Sequence, residues 1–333
     1  MTSLLVVNQG AVGDFILSLP AVEAIHNAFP QARLTFLANP STLEIIRDRH
    51  YLATVLDCGS SRWAPLYVEG GRVASGALGI SPPVAGIFVF GRPSSQILAA
   101  NLAAILTAPG HRIDPFPDPG LGLSVTEYQC RQLTALGVPA VPPPPSVIAP
   151  APEDASEAAA LLERRLGPKE RLVLIHPGSG SRAKIWAPGG WITLIRGLLE
   201  QPRLRPGLIQ GPADAEILQR LQEDLDLSRV LRFPNLRLGL LAGIMRHAAF
   251  YVGNDSGITH LAAGCGVSTI ALFGPTDPRI WAPRGPAVHI IRWPPEHPDS
   301  GRELELIWNQ VKAWGHVAQG SSLRWGEKSF MNR

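Results

Sequence analysis

Residues 250–278, FYVGNDSGITHLAAGCGVSTIALFGPTDP, read as strand, tight turn, helix, strand and turn. Phe250-Tyr251-Val252 is aromatic and β-branched, which suits a buried parallel strand. Gly253-Asn254-Asp255 breaks it. Either Asp255 or Ser256 can N-cap the helix Ile258–Ala263, and Gly257 lets another molecule approach the backbone closely. The helix ends at Gly264-Cys265-Gly266, and a second apolar strand, Val267–Phe273, stops at Gly274-Pro275. A strand feeding a glycine-bearing helix start presents free backbone N–H groups at the positive end of the helix dipole, and phosphate is the usual anion held there. His260 shares a helix face with Ser256 and Gly257. Plain α/β core would use the same small residues for close helix–sheet packing, but has little need of Asn, Asp, Ser, Thr and His in a first helical turn.

This stretch, from VGNDSGITHLAAGCGV onward, closely resembles the C-terminal signature of glycosyltransferase family 9, the ADP-heptose:lipopolysaccharide heptosyltransferases. Two further segments resemble the same family in the same order: LLVVNQGAVGDFILSLPAVEAI at 4–25 and LIHPGSGSRAKIWAPGGWITLI at 174–195. The resemblance implies an α/β protein of GT-B fold, with two Rossmann-like doubly wound domains facing each other across a cleft.

The length of 333 residues allows two domains of ordinary size. Charged residues are 17% and apolar residues 45%, which is a globular and not a disordered composition. The formal net charge of +3 is too small to argue for nucleic acid. Residues 1–150 hold eight Arg and no Lys against nine acidic residues, and the remainder holds 22 basic against 18 acidic. The basic half is the half with the anion-site pattern. Cys58, Cys130 and Cys265 are odd in number and lack metal-ligand spacing, which fits free thiols in a reducing compartment. Gly10, Gly13 and Asp14 interrupt the apolar N-terminus, which reads as a first strand and helix, not a signal peptide. No apolar run is long enough to span a membrane.

In chain order, strand Leu4–Val7, the loop 8–14 and helix Phe15–Phe29 come first, with Pro20 expected to bend that helix or mark its true start. Arg33–Leu37, Val55-Leu56 and Ile87–Phe90 read as strands. Ser94–Leu106 and Val125–Leu136 read as helices, and 60–84 has no clear pattern. Pro139, Pro142–Pro145, Pro150 and Pro152 read as a stiff linker. The second half alternates strand and helix, as in a doubly wound parallel sheet: Glu153–Leu166, Leu172–Ile175, Gly190–Glu200, Gly207–Ile209, Asp214–Leu225, Val230–Phe233 and Leu240–His247 lead into the signature. Strand Val288–Ile291 and helix Glu303–Trp314 follow. The expected domains are 1–151 for the acceptor and 152–318 for the nucleotide sugar. The last helix should return toward the first domain, as GT-B folds commonly have it, and 319–333 forms a loose tail.

Asp14 follows the first strand, where open α/β sheets bind ligands. Read alone, it either caps the helix beginning at Phe15 or serves a site; the resemblance matches it to the family's catalytic carboxylate. The loop His176–Ser181 can wrap a phosphate, and Lys184 adds a mobile positive charge. By resemblance Lys184 contacts the donor phosphates and Ser179, Gly180 and Ser181 line the site. Of the two carboxylates after the next strand, Glu216 is expected on a ribose and Asp214 in a helix cap. Met245 either borders the base or belongs to the core. Asp224-Leu225-Asp226 spells a metal-binding DxD at a polar helix end and reads as solvated surface.

The expectation is therefore a cytoplasmic glycosyltransferase with at most peripheral contact with the inner membrane. It needs no cofactor or metal and takes an ADP-activated heptose and a glycan or glycolipid acceptor. Asp14 and Lys184 form its catalytic pair. Ser179, Gly180, Ser181, Glu216, Met245, Asp255, Ser256, Gly257 and His260 hold the donor. Many family members carry Arg where this chain has Asn8, and that departure, with a Lys-free first half, weakens the lipopolysaccharide acceptor. The alternatives are a degenerate nucleotide-binding protein and an epimerase or phosphorylase of the same architecture; an oxidoreductase would need a GxGxxG that is absent after every strand.

Overall fold

The structure is a computed structural model that describes residues 2–49, 51–80, 83–140, 147–294 and 301–315. The first half comprises β1 (Ser3–Asn8), α1 (Val12–Ala28), β2 (Arg33–Ala38), α2 (Pro40–Leu43), β3 (Leu52–Asp57), β4 (Val84–Phe90), α3 (Ser95–Leu106), β5 (Gly110–Ile113) and α4 (Val125–Ala135). The second comprises α5 (Pro152–Glu163), β6 (Arg171–His176), α6 (Pro188–Leu199), β7 (Leu204–Gln210), α7 (Ala215–Asp224), β8 (Leu231–Pro234), α8 (Leu238–Met245), β9 (Ala248–Asn254), α9 (Gly257–Gly264), β10 (Thr269–Phe273), α10 (Pro278–Trp281), β11 (Val288–Arg292) and α11 (Arg302–Ala313).

The strands form two sheets, ordered β3-β2-β1-β4-β5 and β11-β10-β9-β6-β7-β8. Neighbouring strands pair in parallel throughout. This explains the continuous apolar runs: β1 is buried along its whole length because helices cover both faces. Each sheet reverses its strand order once, between β1 and β4 and between β6 and β9. The crevices at the carboxyl ends of those four strands are where such sheets bind ligands.

The two halves meet where α1 and α9 begin. A Cβ on Gly257 would lie 2.9 Å from the Gly13 backbone nitrogen and 3.0 Å from Val12 Cβ, and one on Gly13 would lie 3.1 Å from the His260 ring. The close approach expected at Gly257 is therefore made by the other half of this same chain. One apolar cluster runs through the junction, joining Leu4, Phe15 and Phe36 of the first half to Leu174, Met245 and Leu261 of the second. Beside it, Ile148 is fully buried and donates its N–H to the Gly264 carbonyl at 2.8 Å.

Three expectations need correction. Helix α1 begins at Val12, so Pro20 lies inside it and does not mark its start; the missing proline N–H costs one helical bond, to the Ile16 carbonyl. Helix α11 does not return to the first half. Its Leu304, Ile307, Trp308 and Val311 are buried in the core of the second sheet, where Trp308 fills the space left by Gly197 of α6. Met245 is fully exposed to neither pocket nor solvent: α8 is buried along its entire length, and Met245 belongs to the core. Asp224 and Asp226 are exposed, and Asp226 accepts from the Ser228 N–H and caps the turn after it. Pro142–Pro145 and the tail 319–333 lie outside the described residues.

Gly257→Ala should lower the melting temperature, with a loss of about 1–3 kcal/mol, because its methyl meets backbone and cannot be accommodated without moving α1. Gly76→Ala is the control, since a Cβ there meets nothing within 4 Å. Equal thermal denaturation curves for the two variants would show that the α1–α9 contact does not hold the halves together.

Candidate active site

The loops after β1, β4, β6 and β9 converge on the junction. A pocket of about 350 Å³ lies between the halves, lined by Gly13 and Asp14 from the first and Lys184, Asp255, Ser256 and His260 from the second. A second pocket, of about 400 Å³, belongs to the first half and is lined by Gln9, Asp14, Arg92, Ser95, Phe116 and Gln129. A third, of about 520 Å³, shares Ser179 and Gly180 with the first and adds Arg182, Ala213, Glu216 and Arg220. Asp14 lines both the first and the second.

Asp14 occupies the first turn of α1, whose N-cap is Ala11 with no side-chain capping bond. Asp14 is therefore not the N-cap residue, although its carboxylate reaches back to the Ala11 N–H. Burial raises its carboxyl above the ordinary 3.8; the Ala11 N–H and the charges of Lys184 and Arg92 work against that, and Asp255 adds to it.

Lys184 closes the short turn Arg182–Lys184 and places Nζ 2.8 Å from Asp255 Oδ2. The same oxygen accepts from Thr276 Oγ1 at 2.7 Å, and Ser179 Oγ donates to the Asp255 carbonyl at 2.9 Å. Asp255 is 4% exposed. A buried carboxylate so engaged acts on the pocket by fixing the lysine. Ser256, not Asp255, is the N-cap of α9, accepting from the Thr259 N–H. The α9 N-terminus therefore opens into the pocket beside Lys184, and the two together favour an anion.

His260 is 5% exposed, and burial pushes its pKa down to about 4, with Asp255 acting to raise it and Lys184 to lower it. It is a neutral imidazole whose Nδ1 is buried without a hydrogen-bond partner. Its ring edge faces Gly13, so it lines the pocket at the seam between the halves.

The two carboxylates after β7 stand in different surroundings, and Asp214 makes no side-chain cap bond to α7. Glu216 is exposed, paired with Arg182 at 2.6 Å, and lines the third pocket. Asp214 is buried and accepts from the Gly211 N–H at 2.6 Å, which caps the turn 212–214; its Oδ2 also lies 3.1 Å from His176 Nε2. Gly180 and Ser181 line the first pocket with Ser179. Asn8 is buried: its amide donates to Ser18 Oγ at 2.7 Å and its oxygen accepts from the Gly10 N–H at 3.0 Å, so it shapes the loop that carries Asp14.

Sequence reasoning missed four residues. Arg92 stands directly after β4, the neighbour of β1, so the switch-point rule applied to that strand would have found it. It lies over the Phe116 ring at 5.8 Å, and Phe116 packs against Trp281 across the cleft at 5.0 Å. Thr276 and Trp281 line the first pocket from the turn after the signature. Local pattern gives no sign that Phe116 and Trp281 meet, because they come from different halves.

The arrangement joins a carboxylate of raised pKa, an anion cradle on one side of it, and a pocket with one arginine on the other. The family model for glycosyltransferase family 9 (heptosyltransferase) matches residues 130–305. Lipopolysaccharide heptosyltransferase 1 of Escherichia coli O18:K1:H7 (strain RS218 / NMEC) is 34% identical over 131 residues, 39% of this chain and 37% of that protein. The same-named protein of Pseudomonas aeruginosa PAO1 is 36% identical over 110 residues, 32% of this chain and 29% of that protein. The chain thus spans about a third of the length of the curated relatives it matches. Among solved structures, the family 9 glycosyl transferase of Veillonella parvula DSM 2008 superposes with a TM-score of 0.74 at 16% identity, over 95% of this chain and 98% of that one. The E. coli ADP-heptose LPS heptosyltransferase II gives 0.71 at 16% identity, over 95% and 100%. The fold is GT-B, with two Rossmann-like parallel-sheet domains, and the chain belongs to glycosyltransferase family 9, the heptosyltransferase family.

Proposed function

We propose that this chain is an inverting, metal-independent glycosyltransferase that moves a heptose from ADP-heptose to a lipopolysaccharide or related cell-surface glycan. The observation that carries the reading is the position of Asp14 on the wall of two pockets at once. One of them has the anion cradle of Lys184 and the α9 N-terminus and suits the diphosphate of a sugar donor. The pocket beyond Ser179 and Gly180 suits its nucleoside, with Glu216 on the ribose. The first-half pocket, with Arg92 and Phe116, suits the acceptor. The names of the relatives supply the sugar and the acceptor class.

In this reading the acceptor hydroxyl enters from the first half, and Asp14 removes its proton as it attacks the anomeric carbon. The diphosphate leaves on the opposite face, which inverts that centre. Lys184 and the backbone N–H groups of α9 meet the charge that grows on the leaving oxygen, the task a divalent metal performs elsewhere. Asp255 keeps Lys184 aimed without neutralising the whole cradle, because the helix end remains. No helix among the described residues is long and apolar enough to cross a membrane. We place the chain at the cytoplasmic face of the inner membrane, in peripheral contact at most.

Asp14→Asn should lower kcat by roughly a hundredfold or more while the affinity for ADP and the melting temperature change little, since Asn keeps the size but accepts no proton. Normal turnover by that variant would remove Asp14 from the reaction. In the wild type, kcat/KM should fall on the acid side as Asp14 is protonated. Because its pKa is raised, the midpoint of that limb lies above 3.8, and a limb at or below that value would contradict the buried base. ADP should raise the melting temperature, and Lys184→Ala should reduce that rise; stabilisation by UDP alone would sink the choice of nucleotide. Transfer should continue in excess EDTA, and loss of activity restored by magnesium or manganese would show that the leaving group depends on a metal.

A further inference from the structure

The reaction just described leaves unused a buried ionisable group one hydrogen bond away from the anion pocket. His176 ends β6, is 5% exposed, and has a partner at each ring nitrogen: Asp214 Oδ2 lies 3.1 Å from Nε2 and Ser256 Oγ 3.3 Å from Nδ1. Burial acts to raise the Asp214 carboxyl, but the His176 and Gly211 hydrogen bonds outweigh it and hold the group below 3.8. An ionised Asp214 only accepts, so the ring proton belongs on Nε2. In the neutral imidazole, Nδ1 is then a bare acceptor facing the Ser256 hydroxyl.

The rest of the network is also spoken for. Thr259 Oγ1 donates to the Asn254 carbonyl, and the Tyr251 hydroxyl, whose pKa burial raises, therefore donates to Thr259 Oγ1 at 2.9 Å. The Ser256 hydrogen has buried protein acceptors in His176 Nδ1, Thr259 Oγ1 at 3.2 Å and the Tyr251 hydroxyl. Yet Ser256 also lines the anion pocket and caps α9. An anion in that pocket is best served when Ser256 donates to it, and that would strip Nδ1 of its only donor.

We propose that His176 is a positioning residue for the donor diphosphate: when the anion occupies the α9 end, Ser256 turns its O–H toward it and His176 takes up a proton at Nδ1 to donate to Ser256 Oγ instead. One proton passes from solvent to Nδ1; no covalent bond between heavy atoms forms or breaks, and Asp214 stays ionised. The imidazolium is then flanked by the Asp214 carboxylate and, through Ser256, by the anion. Asp214 is the charged group in contact with the ring, while Asp255 and Lys184 act on His260. Tyr251 remains a neutral phenol. His260 is the imidazole that lines the pocket itself and the natural competitor for the proton. The inference rests on the diphosphate reading of this pocket.

The test is calorimetric titration of the full chain with ADP-ribose, a diphosphate diester with no group of its own that titrates near neutrality, in PIPES and in Tris, whose ionisation enthalpies differ widely. In the wild type the binding enthalpy should depend on the buffer, corresponding to uptake of up to about one proton, and affinity should weaken by up to about tenfold per pH unit above the midpoint. His176→Gln and Ser256→Ala should bind with no buffer dependence, and His260→Gln should keep it. If His176→Gln fails to fold, the wild-type pH series and Ser256→Ala decide the matter. Binding with equal enthalpy in both buffers from about pH 6 to about pH 8 would overturn the inference and leave the donor site standing. Uptake that survives in His176→Gln, or vanishes in His260→Gln, would overturn it as well. Failure of both ADP-ribose and ADP to bind would remove the diphosphate reading itself, and the inference with it.

Discussion

The N-terminus of α1 meets the N-terminus of α9 with only two glycines between them. Each helix end carries about half a positive charge, so two of them in contact repel. The chain offsets this with Asp14 in the first turn of α1 and Asp255 just before α9. The contact explains why the carboxylate of one half and the lysine of the other feel each other's charge, and why a single pocket is shared between two sheets. A side chain at either glycine would push Asp14 away from the cradle it serves.

Most of this was legible locally. The period of the apolar residues reveals the alternation of the second half, because parallel strands buried on both faces are continuous apolar runs. The helix start at Ser256, the lysine after the β6 loop and the carboxylate after β1 follow from short motifs at strand ends. What local pattern could not show was set by distance in the chain. Gly257, read as room for a ligand, lines the pocket and also gives room to the start of α1. The stripe on α11 could dock on either half, and the hole at Gly197 that decides the matter is over a hundred residues away. Met245 sits at helical spacing in a helix buried on every side, which periodicity cannot distinguish from a helix with one face in a cleft.

Asp255 and Asp214 share a design. Each is buried, each holds two partners on its Oδ2, and each fixes a basic side chain: Lys184, which lines the pocket, in one case, and His176, which reaches it through Ser256, in the other. Removing either would leave the buried His176 or the half-buried Lys184 without its counterpart, so their loss would be felt first as disorder in the cradle. Among the described residues, the first-half pocket has no such pair. Its cation, Arg92, is exposed and lies over an aromatic ring, an arrangement that adapts to the group bound there.

The apolar cluster that joins Leu4 and Phe15 to Leu174 and Leu261 passes under the seam without interruption. Ile148 is pinned to the end of α9 in the same region. Domains with separate cores melt separately, but a core held in common transmits the loss of either sheet to the other. A calorimetric scan of this chain should therefore show a single cooperative endotherm, and each half expressed alone should expose an apolar face where the other belongs.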